Sequence, residues 1–301
     1  MSPSIGSAVG DAARRAFIRT PRSFQGRVLD ALGRSAPWSE GRPPVPPPAP
    51  AGMRVDAPDF VGIGVAKSGT TWWFSLLMGH PEIHVEFDKE IDFFNMAFER
   101  RLDAGQVTVA DVEAYRRWFP RPEGTIAGEW TPHYAFNRTM PAVLQVAAPG
   151  AKVLVMLRDP VERYRSDLSR RMPARDRDRI RYRGLANGMY ANILVPWERA
   201  YPAEDLLVLQ YEQCVREPAE YLEKTFRFLG VDDTYRPPEL RTRVNASKSK
   251  QELDPFVVEQ LVRLYEADVC NLLERYPEFD LSLWENFAYL AGPPPFPPSG
   301  G

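Results

Sequence analysis

The sequence is poor in the residues that build metal centres and covalent cross-links. Its 301 residues include two cysteines, Cys214 and Cys270, and three histidines, His80, His84 and His133. Two cysteines make neither a disulfide framework nor a cysteine-rich metal site. No two histidines stand at a helical metal-ligand spacing such as HExxH. Long apolar runs are also missing: nothing approaches the ~18 residues of a membrane-spanning helix. The arginines near the N-terminus are not followed by the apolar core of a secretory signal. Nor is there an excess of one charge, with 38 basic against 40 acidic residues. Without a global field, nucleic acid is not an expected partner, and an anionic ligand must be held by a local cluster. These absences describe a soluble, cytoplasmic protein that works without a metal.

What the sequence does contain starts with proline. Ten of its thirty prolines precede Asp59 and five follow Gly292. The stretch RPPVPPPAPAGM over 42–53 suits neither a helix nor a central strand. Residues 1–58 therefore read as a Pro/Arg-rich disordered tail and 289–301 as a Pro/Gly-rich one. Between them, 59–288 shows no internal repeat and no long linker, which predicts one domain.

Inside that block strand-like and helix-like segments alternate. Asp59–Val65, Lys152–Leu157 and Asp205–Leu209 are short apolar runs of the kind buried on both faces. Helical patterns cover Thr70–Gly79, the region from Asp159 to about Tyr201, Pro218–Leu229 and Pro255–Arg275. Asp159 suits an N-cap and Pro160 the first helical position. The alternation predicts an α/β fold of three layers, a central, mainly parallel sheet flanked by helices.

Two strand ends carry unusual chemistry. The first reads Gly62-Ile63-Gly64-Val65-Ala66-Lys67-Ser68-Gly69-Thr70-Thr71-Trp72. Small residues let backbone N–H groups converge at a helix N-terminus, where the dipole favours negative charge. Lys67 adds a full charge, and Ser68, Thr70 and Thr71 add hydroxyls. The result is a P-loop-like phosphate cradle, although Lys67 precedes Gly69 by two residues rather than following it as in the Walker A motif. The second strand ends at Arg158. Arg163, Ser166 and Arg170 follow at i, i+3 and i+7 on one face of the next helix. Arg158 with Ser166 would clamp a second phosphate; the competing reading pairs Arg158 with Asp159 or another carboxylate as an ion pair.

These residues resemble the sulfotransferase family. AKSGTTWW is similar to the loop that binds the 5′-phosphosulfate of PAPS (3′-phosphoadenylyl sulfate), and LRDPVERYRSDLSR to the 3′-phosphate segment. HPEI, KEIDFFN, GEWTPHY, FLGV and DLSLW follow in matching order, so the resemblance runs from Phe60 to Trp284. KEIDFFN is similar to the K-E-x-x-F-F segment of the heparan-sulfate and bacterial carbohydrate-type branch. The resemblance implies that Lys67 contacts the 5′-phosphate and its bridging oxygen, with Ser68, Gly69, Thr70 and Thr71 as the cradle. It implies that Trp72 stacks on adenine, and that Arg158 and Ser166 hold the 3′-phosphate. Lys248, in the loop Asn245–Lys250, would close over the nucleotide, although NASKSK departs from the family's K-G-R-type segment.

For the proton of the acceptor, the resemblance points to Glu90 as general base, beside Phe93 and Phe94. His133 competes as the usual proton carrier near neutral pH and ranks below Glu90. His80 reads as structural. Of the aromatics between Phe87 and Phe136, some would be core and others would stack on the acceptor. The expected reaction moves a sulfuryl group from PAPS to a hydroxyl or amine of a carbohydrate, lipid or other small molecule. The alternatives are a P-loop kinase or NTPase using Mg·ATP, and a non-catalytic nucleotide-binding protein whose proline-rich ends are ligands for a partner.

Overall fold

The computed structural model describes residues 45–46, 48–87, 90–94, 107–168, 184–238, 240 and 252–291. In chain order the elements are β1 (Arg54–Val55), β2 (Phe60–Gly64), α1 (Thr70–Met78), α2 (Val109–Arg116), β3 (Pro120–Arg121), β4 (Gly128–Trp130) and α3 (Met140–Ala147). They continue with β5 (Lys152–Leu157), α4 (Pro160–Leu168), α5 (Tyr190–Ala200), β6 (Leu206–Gln210), α6 (Tyr211–Arg216), α7 (Pro218–Leu229) and α8 (Pro255–Arg275). No helix among the described residues is long and apolar enough to cross a membrane.

β2, β5 and β6 fall on the three runs read as buried strands. With β4 they form one sheet in the order β4-β2-β5-β6, and every pairing in it is parallel. Alternate residues of β5 explain the three layers, because successive side chains of a strand point to opposite faces. Val153, Val155 and Leu157 pack with α3, α5 and α8 through Val143, Leu144, Leu194, Trp197, Tyr265 and Val269. Leu154 and Met156 pack on the other face with Trp73, Leu77, Leu222 and Phe226 of α1 and α7. Gly62 in the middle of β2 is where the Trp130 ring seats: a Cβ there would lie 2.1 Å from it. The small residue therefore lets an indole pack flat on the sheet.

Helix ends follow local chemistry. Asp159 Oδ1 accepts from the N–H groups of Val161 (2.8 Å) and Glu162 (3.1 Å) at the start of α4, the N-cap the sequence predicted. Asp254 caps α8 in the same way, accepting from Phe256 N at 2.8 Å. α7 stops at Gly230, whose φ of 80° is left-handed.

The fold takes in part of the segment read as tail. Arg54–Val55 pairs antiparallel with Pro120–Arg121. The Arg121 side chain is buried beneath this ribbon. It donates to the carbonyls of Ala57 (2.9 Å) and Phe119 (3.0 Å) and lies 3.1 Å from the Asp59 carboxylate. Further upstream, Pro46, Pro48 and Pro50 line a shallow hollow with Phe87, Trp118 and Pro120. Composition alone hid this, because two-residue strands have no periodicity to detect.

From β2 the chain crosses through α1 to β4 on one side, whereas from β5 it crosses through α4 and α5 to β6 on the other. The switch point thus lies beyond the C-terminal ends of β2 and β5, the place where open α/β sheets bind ligands.

Candidate active site

The loop after β2 stands at that switch point. Gly69 is the N-cap of α1 with φ 83°, and Lys67 also holds a left-handed φ of 75°. A glycine N-cap brings no side-chain oxygen to the first turn, so the positive helix end is not answered by its own cap. A Cβ on Gly69 would meet the Tyr211 ring at 2.4 Å, which excludes any other residue without rearrangement. Ser68 is fully buried, and its Oγ has no hydrogen-bond partner. A buried hydroxyl left unpaired is costly; phosphate oxygens at this helix end would satisfy it. The loop therefore fits the anionic group for which its sequence was read.

The two anion sites read separately in the sequence are joined. Arg158, just past β5, donates from Nη1 to the carbonyl oxygen of Lys67 at 3.3 Å, and its guanidinium lies over the Tyr211 ring, 5.2 Å from the centroid. The Arg158 carbonyl accepts from the Tyr190 hydroxyl at 2.7 Å, which fixes the backbone there. Its carboxylate partner is Glu162 at 3.6 Å, not Asp159, and Glu162 also takes Arg165 at 2.9 Å. Ser166 is half-buried further along the same helix, α4.

Arg163 does not belong to that rim. It is 0% exposed, lies 3.5 Å from Asp167 and donates to the Gly184 carbonyl. The shared helical face predicted for Arg163 and Ser166 is split at the core boundary, with the guanidinium turned inward. Trp72 is 6% exposed and meets Trp73 and Tyr211 edge to face, so little ring surface remains for stacking on a base. Arg170, Lys248 and Lys250 lie outside the described residues.

Sequence reasoning passed over Tyr211, which buttresses Gly69, Trp72 and Arg158 together. The available signal was its place, just beyond the apolar run that forms β6. Next to it, Glu212 accepts from Asp159 N (3.1 Å) and Trp284 Nε1 (2.8 Å), and burial pushes its carboxyl up to about 7. Asn286 donates from both N and Nδ2 to Asp159 Oδ2. The C-terminal DLSLWEN segment is thereby tied to the strand ends that carry Arg158 and Tyr211.

The acceptor-side candidates gather around β4. Its exit runs along the end of β2: Thr131 N donates to Gly62 O at 2.8 Å and Trp130 Nε1 to Gly64 O at 3.3 Å. Glu90 is half-buried with φ 75°, and Asp92 has φ 55°. His133, 46% exposed at its side chain, places Nδ1 3.9 Å from Asp92 Oδ1. Phe93 and Phe94 are buried against Tyr115, and Trp118, Trp130 and Tyr134 are buried too. This aromatic group is core rather than a stacking surface. His80 is structural as expected, with Nε2 2.9 Å from Asp232 O and Nδ1 accepting from Glu82 N at 3.0 Å. His84 has Glu86 as partner at 3.0 Å.

The residue missed here is Glu129. It is 0% exposed within β4, and accepts from the hydroxyls of Tyr115 (2.5 Å), Thr131 (2.6 Å) and Tyr134 (3.3 Å). Burial raises its carboxyl to about 7 against the lowering effect of those bonds. A lone acid between Gly128 and Trp130, in a segment otherwise apolar or hydroxylic, was the signal.

A parallel α/β sheet with a lysine-bearing anion loop and an arginine at the adjacent strand end defines a P-loop-like group-transfer site. The sequence model of the sulfotransferase domain family matches residues 57–253, and the chain belongs to that family. Mouse heparan sulfate glucosamine 3-O-sulfotransferase 3A1 is 31% identical over 191 residues, covering 58% of this chain and 46% of the relative. The human bifunctional heparan sulfate N-deacetylase/N-sulfotransferase 1 is 27% identical over 206 residues, 59% of this chain and 22% of that protein. The chain thus spans less than half the length of these curated relatives. Among solved structures, a sulfotransferase from Alicyclobacillus acidocaldarius superposes with a TM-score of 0.61 at 27% identity, covering 76% of this chain and 99% of the other. These are the heparan-sulfate and bacterial sulfotransferases to which KEIDFFN pointed.

Proposed function

We propose that this protein transfers a sulfuryl group from PAPS to a hydroxyl or amine of a carbohydrate, releasing PAP (adenosine 3′,5′-bisphosphate). The carrying observation is the Arg158–Lys67 contact, which places a second cation at the rim of the first anion loop. Such a pair suits a nucleotide with phosphates on both sides of its ribose. A kinase reading has less support, since β5 is followed directly by Arg158 where a Walker B strand would offer an acid. The carbohydrate acceptor is argued from the names of the heparan sulfate relatives.

In this reading the acceptor oxygen or nitrogen attacks sulfur in line, the bond from sulfur to the 5′-phosphate oxygen breaks, and the acceptor's proton passes to Glu90. Lys67 and the start of α1 meet the charge that grows on the departing phosphate; such preorganised charge is the main catalytic term open to this site. Arg158 and Ser166 hold the 3′-phosphate and so set the donor's position.

The test is a comparison of thermal shifts with PAP, ADP and Mg·ATP, followed by transfer from radiolabelled PAPS to N-deacetylated and N-sulfated heparosan, to phenols and to lipids. A ligand bound only by the folded state must raise the melting temperature. The expected result is stabilisation by PAP, and label transfer that disappears in Lys67→Ala. Stabilisation by Mg·ATP but not by PAP overturns the reading. Stabilisation by PAP with label appearing only on phenols or lipids would keep the sulfotransferase and remove the carbohydrate.

A further inference from the structure

Glu90 and Asp92 both hold left-handed backbone conformations, φ 75° and 55°, which side chains adopt at a cost and only where the surroundings impose them. A visible restraint comes from β4. Asp92 N donates to Thr131 Oγ1 at 3.1 Å, and Thr131 Oγ1 in turn donates to Glu129 Oε2 at 2.6 Å. The order matters, because a threonine hydroxyl has one proton. With that proton committed to Glu129, an oxygen lone pair faces the Asp92 amide.

The other carboxylate oxygen is saturated by Tyr115 and Tyr134. Glu129 thus receives donors from Tyr115 of α2 and from Thr131 and Tyr134, which follow β4, and it is sealed from solvent. We propose that Glu129 is a positioning residue for the acceptor side of the site, holding the Glu90–Asp92 turn through the Thr131 hydroxyl. This rests on the reading of Glu90 as the base. Glu129 touches no reacting atom; it acts by fixing where the Glu90 carboxylate and the Asp92–His133 pair stand.

Substitutions separate this from a merely structural role. Glu129→Gln replaces one of the two acceptor oxygens by an NH2, so either Thr131 or the tyrosines lose the acceptor that holds their hydroxyl proton. Thr131→Val keeps the shape and removes the hydroxyl, and Thr131→Ser keeps the hydroxyl. The full-length variants are to be compared by PAP titration calorimetry, by transfer from PAPS to N-sulfated heparosan, and by hydrogen exchange at the Asp92 amide.

In Glu129→Gln and Thr131→Val the expected result is PAP affinity within about twofold of wild type, with KM for PAPS unchanged. Expected too are a kcat at least tenfold lower and Asp92 amide protection at least tenfold lower. Thr131→Ser restores both losses, which a packing defect would not allow. Unchanged kcat and unchanged protection in Thr131→Val overturn the inference, as does failure of Thr131→Ser to rescue. Should wild type bind no PAP, the functional reading fails separately, and exchange at Asp92 still decides whether Thr131 and Glu129 hold the turn.

Discussion

Arg158 Nη1 lies 3.3 Å from the Lys67 carbonyl oxygen, so the strand end that carries one cation grips the backbone of the loop that carries the other. The two cation-bearing segments are consequently tied to one another through the backbone. Tyr211 completes the arrangement, with its ring under the Arg158 guanidinium and against Gly69.

Loss of Arg158 is expected to erase discrimination by the 3′-phosphate. In Arg158→Ala the dissociation constant for PAP should rise about ten- to a hundredfold, the ~1.5–3 kcal/mol of hydrogen bonds to a charged group, while that for adenosine 5′-phosphate changes far less. Titration calorimetry with both nucleotides checks this. Equal weakening of both would assign Arg158 to the loop alone.

The two base candidates separate by rate. Glu90→Gln should lower kcat about 10²- to 10⁴-fold, the range of a lost general base, with PAP affinity retained. His133→Ala should cost less than about tenfold, since His133 is exposed and reaches Asp92 only at 3.9 Å. Steady-state kinetics with PAPS and N-sulfated heparosan would show the reverse ranking if His133 takes the proton.

Gly69→Ala combines a left-handed φ of 83° with a Cβ 2.4 Å from the Tyr211 ring. A destabilisation of about 1–3 kcal/mol is expected, roughly 3–10 °C in melting temperature for a domain of this size. Adding Tyr211→Ala should return the part due to the clash and leave the part due to φ. Differential scanning calorimetry of the single and double variants measures both.

Glu129 and Glu212 each titrate near 7 in the folded protein because burial penalises their charged form. An unfolded glutamate titrates near 4.3. Between these values the folded chain holds protons that the unfolded chain releases, so this contribution is complete below about 4.3 and is lost as pH rises through 7. It is on the order of 3 kcal/mol per residue. Glu212 faces Asp159 and the Trp284 indole N–H; Glu129 faces Tyr115, Tyr134 and Asp92. Urea denaturation between pH 5 and 8 should show stability falling more steeply in wild type than in Glu212→Gln, whose baseline is lower but flatter. Parallel curves would refute the assignment for Glu212.

Much of this was legible in the chain. β2, β5 and β6 are buried on both faces, so each reads as an unbroken apolar run, and the helix after β5 carries aspartate and proline at its start. The anion loop was legible because glycine, lysine and hydroxyl spacing is dictated by the backbone. The rest was written in contacts distant in sequence. Tyr211 gains meaning only from lying against Gly69, and Glu129 only from hydroxyls contributed by Tyr115, Thr131 and Tyr134. Arg163 shows the opposite failure. Spacing put it on one helical face with Ser166, but whether a helix residue at the edge of a face turns in or out depends on its neighbours across the gap.

The β1–β3 ribbon redraws the edge of the domain as a matter of solvating one guanidinium. A cut at residue 59, where proline becomes sparse, would strip the Ala57 carbonyl from Arg121 and open the ribbon above it. A cut before residue 53 would leave that charge housed. Limited proteolysis should therefore halt short of Arg54, with Arg121, some sixty residues away, acting as the stop.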